Sequence, residues 1–266
     1  MVHVQEPNEN DPICSSVSYN KARLIWINQP KLRNALTAEV RELLKVELRH
    51  AIADDTVGAI VIAGAGGSFC AGGDISTMKG VTAPAGRVRM QAAAELMQLI
   101  VNSPKPVIAA VEGWAVGAGL GLAAGCDIVV AGRQAKFSAP FGNLGLMPDL
   151  GSLFTLPARI GMGKTKLLAF TRRRIDAECA AEWGLVDEVA EDGAATSHAV
   201  ALANEIAQAA PLSNAYTKQL LARLPLSFSE FLSAENDSQA ILFSSEDLKE
   251  GAAAFFEKRT PDFKGR

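Results

Sequence analysis

Residues 105–131 read KPVIAAVEGWAVGAGLGLAAGCDIVVA, and their pattern predicts a strand, a helix and a second strand. The short apolar runs at 106–111 and 127–131, rich in valine and isoleucine, are typical of buried parallel strands. The small apolar residues between them suit a tightly packed helix. Because parallel strands joined through a helix form a crossover connection, this stretch predicts an α/β fold.

The same alternation extends toward the N-terminus. Residues 57–63 (VGAIVIA) are predicted to form another buried strand, and residues 17–27 a short hairpin. Thr37 is predicted to cap a helix whose apolar residues recur near helical spacing. Residues 80–86 are interpreted as a mobile stretch, and residues 87–101 as a helix.

Toward the C-terminus the pattern changes. After about Arg159 the strand signals fade and helical patterns dominate. We therefore expect three parts: a loose lead-in at residues 1–13, an α/β core at 14–200 and a helical C-terminal region at 201–266.

The composition excludes several classes of protein. With 266 residues, 48% of them hydrophobic and 21% charged, the chain is expected to be globular. A net charge of -3 and the lack of a long basic run argue against a nucleic-acid partner. Neither a bilayer-spanning apolar run nor the order of a signal peptide is seen, so we expect a cytoplasmic protein with no membrane partner.

The cysteine and histidine residues are dispersed. There is no CxxC pair, and the three histidines do not cluster with the four cysteines, Cys14, Cys70, Cys126 and Cys179. This spacing argues against a zinc site and against a disulfide framework, and it indicates a reducing compartment.

Two glycine-rich segments follow predicted strands. In residues 68–75 (SFCAGGDI), small residues allow a ligand to approach the backbone, and N–H groups can face an anion. Residues 113–121 (GWAVGAGLG) are predicted to open a helix, whose N-terminus suits an oxyanion or a phosphate. The alternatives are a flexible turn for the first segment and close helix packing for the second. The GxGxxA pattern at 119–124 begins too far beyond its strand for a dinucleotide site.

Asp149 is the only acid in the apolar segment at 137–152. Desolvation there would raise the pKa of its carboxyl group, as a general base requires. An aspartate before a helix is also an ordinary cap, so both interpretations stay open. In the tail, Lys258 lies among cations of a last helical turn, which stabilise a helix end and could equally bind phosphates.

The order and spacing of these segments resemble the enoyl-CoA hydratase/isomerase (crotonase) superfamily from about Leu24 to Phe263. The matching motifs are NAL at 34–36, FCAGGDI at 69–75, the stretch at 105–131, PDLGS at 148–152, WGLV at 183–186 and the C-terminal tail. The resemblance implies a spiral of ββα units with a helical C-terminal trimerisation region, assembled as a homotrimer or homohexamer.

The resemblance also implies an acyl-CoA substrate, with no separate cofactor and no metal. Backbone N–H groups that align with Gly73 and Ala118 would stabilise the enolate of the thioester. Many relatives have glycine at the second position, but alanine supplies the same N–H. The residues implied in binding CoA are Lys31, Arg33, Ala71, Asp74, Ile75 and Lys258.

One departure from the family pattern bears on the reaction. The two glutamates with which hydratases of this family activate water align with Gly121 and Phe141. The segment LGLMPDLGS at 144–152 instead resembles the isomerase branch, which has one acid at the position of Asp149. We therefore expect a double-bond isomerase. The alternatives are another crotonase reaction, such as hydration, thioester hydrolysis or decarboxylation, and a non-catalytic acyl-CoA binder.

Overall fold

The computed structural model describes residues 2–266, and this part of the chain contains nine strands and nine α-helices. The strands are β1 (Cys14–Tyr19), β2 (Ala22–Ile27), β3 (Ala59–Gly64), β4 (Val107–Val111), β5 (Trp114–Val116), β6 (Ile128–Gly132), β7 (Lys136–Ser138), β8 (Arg174–Asp176) and β9 (Glu188–Ala190). The α-helices are α1 (Ala38–Ala53), α2 (Ala83–Val101), α3 (Ala118–Ala124), α4 (Ser152–Thr171), α5 (Ala177–Trp183), α6 (Ala195–Ile206), α7 (Pro211–Leu221), α8 (Phe228–Phe243) and α9 (Glu246–Glu257).

The main sheet has six strands in the order β1-β2-β3-β4-β6-β9. Only the β1–β2 pair is antiparallel, and it forms the predicted hairpin with Asn20 in a left-handed conformation at the turn. The remaining strands are parallel, and β3 and β4 are buried along their whole length. Burial of both faces explains the continuous apolar runs in their sequences.

A smaller sheet, in the order β5-β7-β8, runs beside the main one. Single parallel bridges extend it, joining Cys70 to Ala115 and Leu36 to Gly73. The chain thus repeats a strand in the main sheet, an extended segment in the smaller one and a helix. This order confirms the predicted α/β spiral of ββα units.

Two cores cover the faces of the main sheet. On one face, Ile25 and Ile60 pack with residues of α1, α2 and α3, including Leu44 and Leu96. On the other face, neighbouring residues such as Val61 pack against the alanine-rich side of α6. Successive strand residues point to opposite faces, so each strand contributes to both cores.

The structure corrects several sequence-based expectations at the ends of elements. Residues 80–86 were expected to be mobile, but α2 already begins at Ala83, with Pro84 in its first turn, where proline is well tolerated. The predicted helix after Gly113 starts only at Ala118, because residues 114–116 pair with β7 as strand β5. The last two strands, β8 and β9, lie beyond Arg159, where helical patterns were expected to dominate.

The C-terminal part is helical, as predicted, with α7, α8 and α9 following α6. The predicted boundary at residue 200 lies within α6, and the division of the chain into a lead-in, a core and a C-terminal region stays a prediction. No helix between residues 2 and 266 combines the length and the apolar character needed to cross a bilayer.

Candidate active site

A cavity of about 870 Å³ opens beside the smaller sheet, and it brings Gly73, Ala118 and Asp149 together. Most of its lining is apolar and comes from the residue at 36 before α1, the segment before α2, α2 itself and the segment before α4: Leu36, Met78, Val81, Met90, Ala93, Ala94, Met97, Leu146, Met147, Pro148 and Leu150. A cavity of this size and character suits an acyl chain, with a few polar groups to orient it.

Backbone hydrogen bonds hold the first glycine-rich segment against the second. The Cys70 N–H donates to the Trp114 carbonyl at 2.8 Å, and the Val116 N–H donates to the Cys70 carbonyl at 3.0 Å. Gly72, at φ 102°, lies so close that a methyl group on it would be 2.8 Å from the Val116 oxygen and 3.5 Å from the Ala118 nitrogen. Only glycine fits there, and its absent side chain allows the two segments to meet.

The two predicted oxyanion donors both line this cavity. Ala118 is the first residue of α3, where backbone N–H groups have no partner within the helix. Within residues 2–266, neither the Gly73 N–H nor the Ala118 N–H donates a hydrogen bond to the protein. Two free donors at the wall of an apolar cavity can stabilise a thioester enolate.

Asp149 is the only acid among the described residues that line the cavity. Its Oδ1 atom is buried and has no hydrogen-bond partner among residues 2–266. Burial raises the pKa of this carboxyl group, while its own backbone N–H and the guanidinium groups of Arg89 and Arg41 oppose the rise. A desolvated carboxylate with a raised pKa is suited to act as a general base.

The structure also separates the two interpretations of Asp149 that the sequence left open. The N-cap residue of α4 is Gly151, and no side chain of the described chain caps this helix end. Asp149 contributes only its backbone carbonyl, which accepts hydrogen bonds from the N–H and the hydroxyl of Ser152. The capping interpretation was therefore wrong, and the side chain is left facing the cavity.

The two positions that the family resemblance aligns with the hydratase glutamates are both buried. Gly121 is buried in α3, and a methyl group on it would lie 2.6 Å from the Ser152 Oγ atom and 3.0 Å from the Leu150 Cβ atom. Phe141 is buried, and its ring lies 3.8 Å from where a Cβ on Gly117 would be. Neither place presents an acid to a water molecule.

Sequence reasoning missed Arg41 on α1 and Arg89 on α2, which both line the cavity. Arg41 is buried, with 7% of its surface exposed. A signal was present, since Leu44 and Leu48 follow Arg41 at intervals of three and seven and therefore share its helix face. A cation on the apolar stripe of a helix indicates a position inside the protein.

Three of the residues implied in CoA binding lie together. Lys31 and Arg33 are exposed near the turn after β2, and the Arg33 carbonyl accepts a hydrogen bond from the Ala71 N–H at 2.9 Å. The Lys31 ammonium group pairs with Glu9 at 2.8 Å on the surface. Their position beside the first glycine-rich segment is compatible with phosphate binding.

The other three are more dispersed. The Asp74 carboxylate accepts hydrogen bonds from the N–H and hydroxyl groups of Ser76, and the exposed Ile75 follows it. Lys258 is exposed at the end of α9 and makes no ion pair within residues 2–266. The CoA-binding role of all six residues stays a prediction.

Over residues 2–266, no group of three or more histidine, cysteine, aspartate or glutamate side chains is placed to hold a metal ion. The four cysteines are free thiols.

Comparison with known proteins agrees with this geometry. The family model described as enoyl-CoA hydratase/isomerase matches residues 18–266. The chain is 35% identical over 247 residues to 1,2-epoxyphenylacetyl-CoA isomerase of Escherichia coli (strain K12), covering 91% of this chain and 94% of that protein. It is 36% identical over 246 residues to 2,3-dehydroadipyl-CoA hydratase of the same organism, covering 91% and 95%.

Solved structures with a similar fold also include an enoyl-CoA hydratase. The crystal structure of enoyl-CoA hydratase from Bacillus anthracis superposes with a TM-score of 0.91 at 29% identity, covering 96% of this chain and 100% of that one. The match of sequence and fold along nearly the whole chain places this protein in the enoyl-CoA hydratase/isomerase family.

Proposed function

We propose that this enzyme is an acyl-CoA double-bond isomerase in which Asp149 moves the proton. The observation that carries the proposal is the Asp149 carboxylate, which is the only acid among the described residues lining the cavity with Gly73 and Ala118 and whose buried Oδ1 atom has no hydrogen-bond partner in residues 2–266. A shift of a double bond needs one base, whereas the addition of water in this family uses two acids. One of the relatives, the isomerase from Escherichia coli, is named for an isomerisation.

The proposed reaction conserves every atom of the substrate. The Asp149 carboxylate removes a proton from the α carbon of a 3-enoyl-CoA, which gives a dienolate. The Gly73 and Ala118 N–H groups donate hydrogen bonds to the thioester oxygen as its negative charge develops. The proton then returns from Asp149 to the γ carbon, and the double bond moves into conjugation with the thioester.

Hydration is the second candidate, because another relative is named as a hydratase. The cavity argues against it. A glutamate at position 121 would meet Ser152 and Leu150, and the buried Phe141 provides no acid at the other position. With Asp149 as the only acid among the described lining residues, no second group is in place to orient a water molecule.

The proposed substrate is an acyl-CoA, with CoA held near Lys31, Arg33, Ala71, Asp74 and Ile75 and with Lys258 as a further candidate. No other cofactor and no metal ion is needed for the proton transfer. We also propose that the chain works in the cytoplasm as a homotrimer or a homohexamer assembled through its C-terminal helices, where several phenylalanines are exposed.

Matched 2-enoyl-CoA and 3-enoyl-CoA substrates test the proposal. We expect each to be converted into the other without a 3-hydroxyacyl-CoA product. Asp149→Asn should lower the rate by at least roughly 10²-fold, the low end for general acid–base catalysis. Glu112→Gln is the matched control, since Glu112 is a half-buried acid with a raised pKa that lies outside the cavity.

Three outcomes would contradict the proposal. Formation of 3-hydroxyacyl-CoA as the main product would identify a hydratase. Comparable turnover by wild type and Asp149→Asn, with the fold intact, would show that the proton moves through another group. Tight binding of acyl-CoA without any turnover would identify a non-catalytic binder.

A further inference from the structure

Arg41 and Arg89 are two cations in a mostly apolar cavity, and the proposed isomerisation assigns them no contact with the substrate. The Arg41 Nη1 atom donates a hydrogen bond to the Leu36 carbonyl at 2.7 Å, and the buried Nε atom of Arg41 has no partner in the described part of the chain. Arg89 donates to the Thr77 hydroxyl at 2.8 Å and, at 3.5 Å, to the Asp74 carbonyl. Neither arginine has a carboxylate within ion-pair distance among residues 2–266.

The other buried cations of the described chain are paired. Lys45 contacts Glu42 and Glu95 at 2.9 and 2.7 Å, and Lys218 contacts Asp127 at 2.6 Å. Arg41, which is as deeply buried, lacks such a partner. The Asp149 carboxylate acts on Arg41 only through space, without an ion pair. Since a buried charge without a directly paired counter-charge is costly, the retention of Arg41 indicates that a ligand supplies the anion.

The cavity therefore has an excess of positive charge. The described residues that line it include two arginines and a single acid, Asp149. A purely hydrocarbon acyl chain would cover the guanidinium groups without offsetting this charge. A carboxylate on the acyl group would offset it, and the guanidinium fork matches a carboxylate in two parallel hydrogen bonds.

The two arginines also indicate where that carboxylate lies. The Arg89 Nη2 atom is 3.8 Å from where a methyl group on Gly73 would be. The Arg41 guanidinium group donates a hydrogen bond to the Leu36 carbonyl, and Leu36 forms a β-bridge with Gly73. Both guanidinium groups thus lie near the proposed oxyanion donor, so the second carboxylate must be only a few carbons from the thioester.

We propose that the substrate is the CoA half-thioester of a short dicarboxylic acid, whose free carboxylate is bound by Arg41 and Arg89. This inference rests on the proposed function for the position of the thioester and deepens it by naming the class of acyl group. Arg41 and Arg89 determine specificity in this assignment, and Asp149 remains the group that transfers the proton.

Binding of two saturated thioesters tests this inference by isothermal titration calorimetry. Glutaryl-CoA and pentanoyl-CoA have acyl chains of equal carbon number and differ in whether the chain ends in a carboxylate or a methyl group. We expect wild type to bind glutaryl-CoA at least roughly tenfold more tightly. Arg89→Met should bring the ratio of the two affinities toward one. Arg87→Met, an exposed arginine two residues earlier that does not line the cavity, should keep the wild-type ratio.

Equal affinities, or tighter binding of pentanoyl-CoA, would overturn the inference. So would a preference for glutaryl-CoA that is the same in Arg89→Met and Arg87→Met. Because neither thioester has a double bond to move, these ratios do not depend on turnover. A wild-type enzyme that prefers glutaryl-CoA but isomerises no enoyl-CoA would refute the proposed function alone. Isomerisation with equal affinities would refute this inference alone.

Discussion

The Asp149 carboxyl group is subject to two opposing influences from its surroundings. Burial disfavours the charged form and raises the pKa, whereas the positive charges of Arg89 and Arg41 favour the carboxylate and limit the rise. A general base acts best when its pKa approaches the working pH. The cavity thus moves this side chain in the direction that catalysis needs while keeping it available as a base.

The pH dependence of the rate should report this balance. Only the carboxylate accepts a proton, so we expect kcat/KM to rise with pH and to level off above the pKa of Asp149. The acidic limb should lie above pH 3.8, the ordinary value for aspartate, because burial raises the pKa. Arg89→Met removes a positive charge, so its limb should move to still higher pH. Identical limbs for wild type and Arg89→Met would contradict this account.

Asp149 should also lower the stability of the folded protein at neutral pH. The folded state binds its proton more tightly than the unfolded chain, whose aspartate titrates near pH 3.8. The free energy of unfolding therefore falls as the pH rises from that value through the folded pKa, and it stays reduced above it. Asp149→Asn carries no such penalty.

We therefore expect the Asn variant to melt at a higher temperature than wild type at neutral pH, with the difference shrinking toward pH 3.8. Thermal melts of both proteins over this range provide the measurement. A difference that is constant with pH would show that the ionisation of Asp149 is not its cause.

Among the secondary-structure elements, those with local signals were predicted well. The hairpin and α1 are confirmed, and the Thr37 hydroxyl accepts a hydrogen bond from the Val40 N–H at 3.1 Å, as a cap does. Strand β5 was missed because its three residues are extended only through pairing with β7 and with Cys70. Such pairing is tertiary and leaves no local pattern.

In the candidate site, too, residues that belong to sequence motifs were predicted, whereas residues that meet only through packing were missed. The positions of Gly73, Ala118 and Asp149 were implied by the family resemblance, and all three line one cavity. Arg41 and Arg89 follow no family motif, and their meeting depends on how α1 packs against α2. Contacts between helices cannot be deduced from the pattern of either helix alone.

The packing of α3 against the start of α4 should depend on the missing side chain at Gly121. We expect Gly121→Ala to destabilise the protein by about 1–3 kcal/mol, because its methyl group would lie 2.6 Å from the Ser152 Oγ atom. Ser152→Gly in the same chain removes that contact and should recover part of the loss. Leu150, at 3.0 Å, prevents a full recovery.

Denaturant melts of the two single variants and the double variant measure the coupling between these positions. If Gly121→Ala costs the same stability in the wild-type chain as in the Ser152→Gly chain, the two positions are not coupled and the strain lies elsewhere. Retained stability in Gly121→Ala would show that α3 and α4 can separate without cost, and the position could then accept a larger side chain.

At the scale of the whole molecule, the C-terminal helices leave large apolar side chains uncovered. Phe228 and Phe243 on α8 and Phe255 and Phe256 on α9 are between 72% and 82% exposed. Exposed apolar patches of this kind mark surfaces that bind other proteins, and the family resemblance implies that copies of this chain meet there. The assembled enzyme would bury these rings.

The assembly can be tested by removing two of those rings. By sedimentation at micromolar concentration, we expect wild type to behave as a trimer or a dimer of trimers. Phe255→Ser with Phe256→Ser should favour smaller species, because each substitution removes apolar surface from the interface. Val88→Ser on α2 is the matched control, since that valine is 66% exposed but lies outside the C-terminal helices. Its assembly should equal that of wild type. A stable wild-type monomer, or an unchanged assembly of the double variant, would show that these phenylalanines do not hold the subunits together.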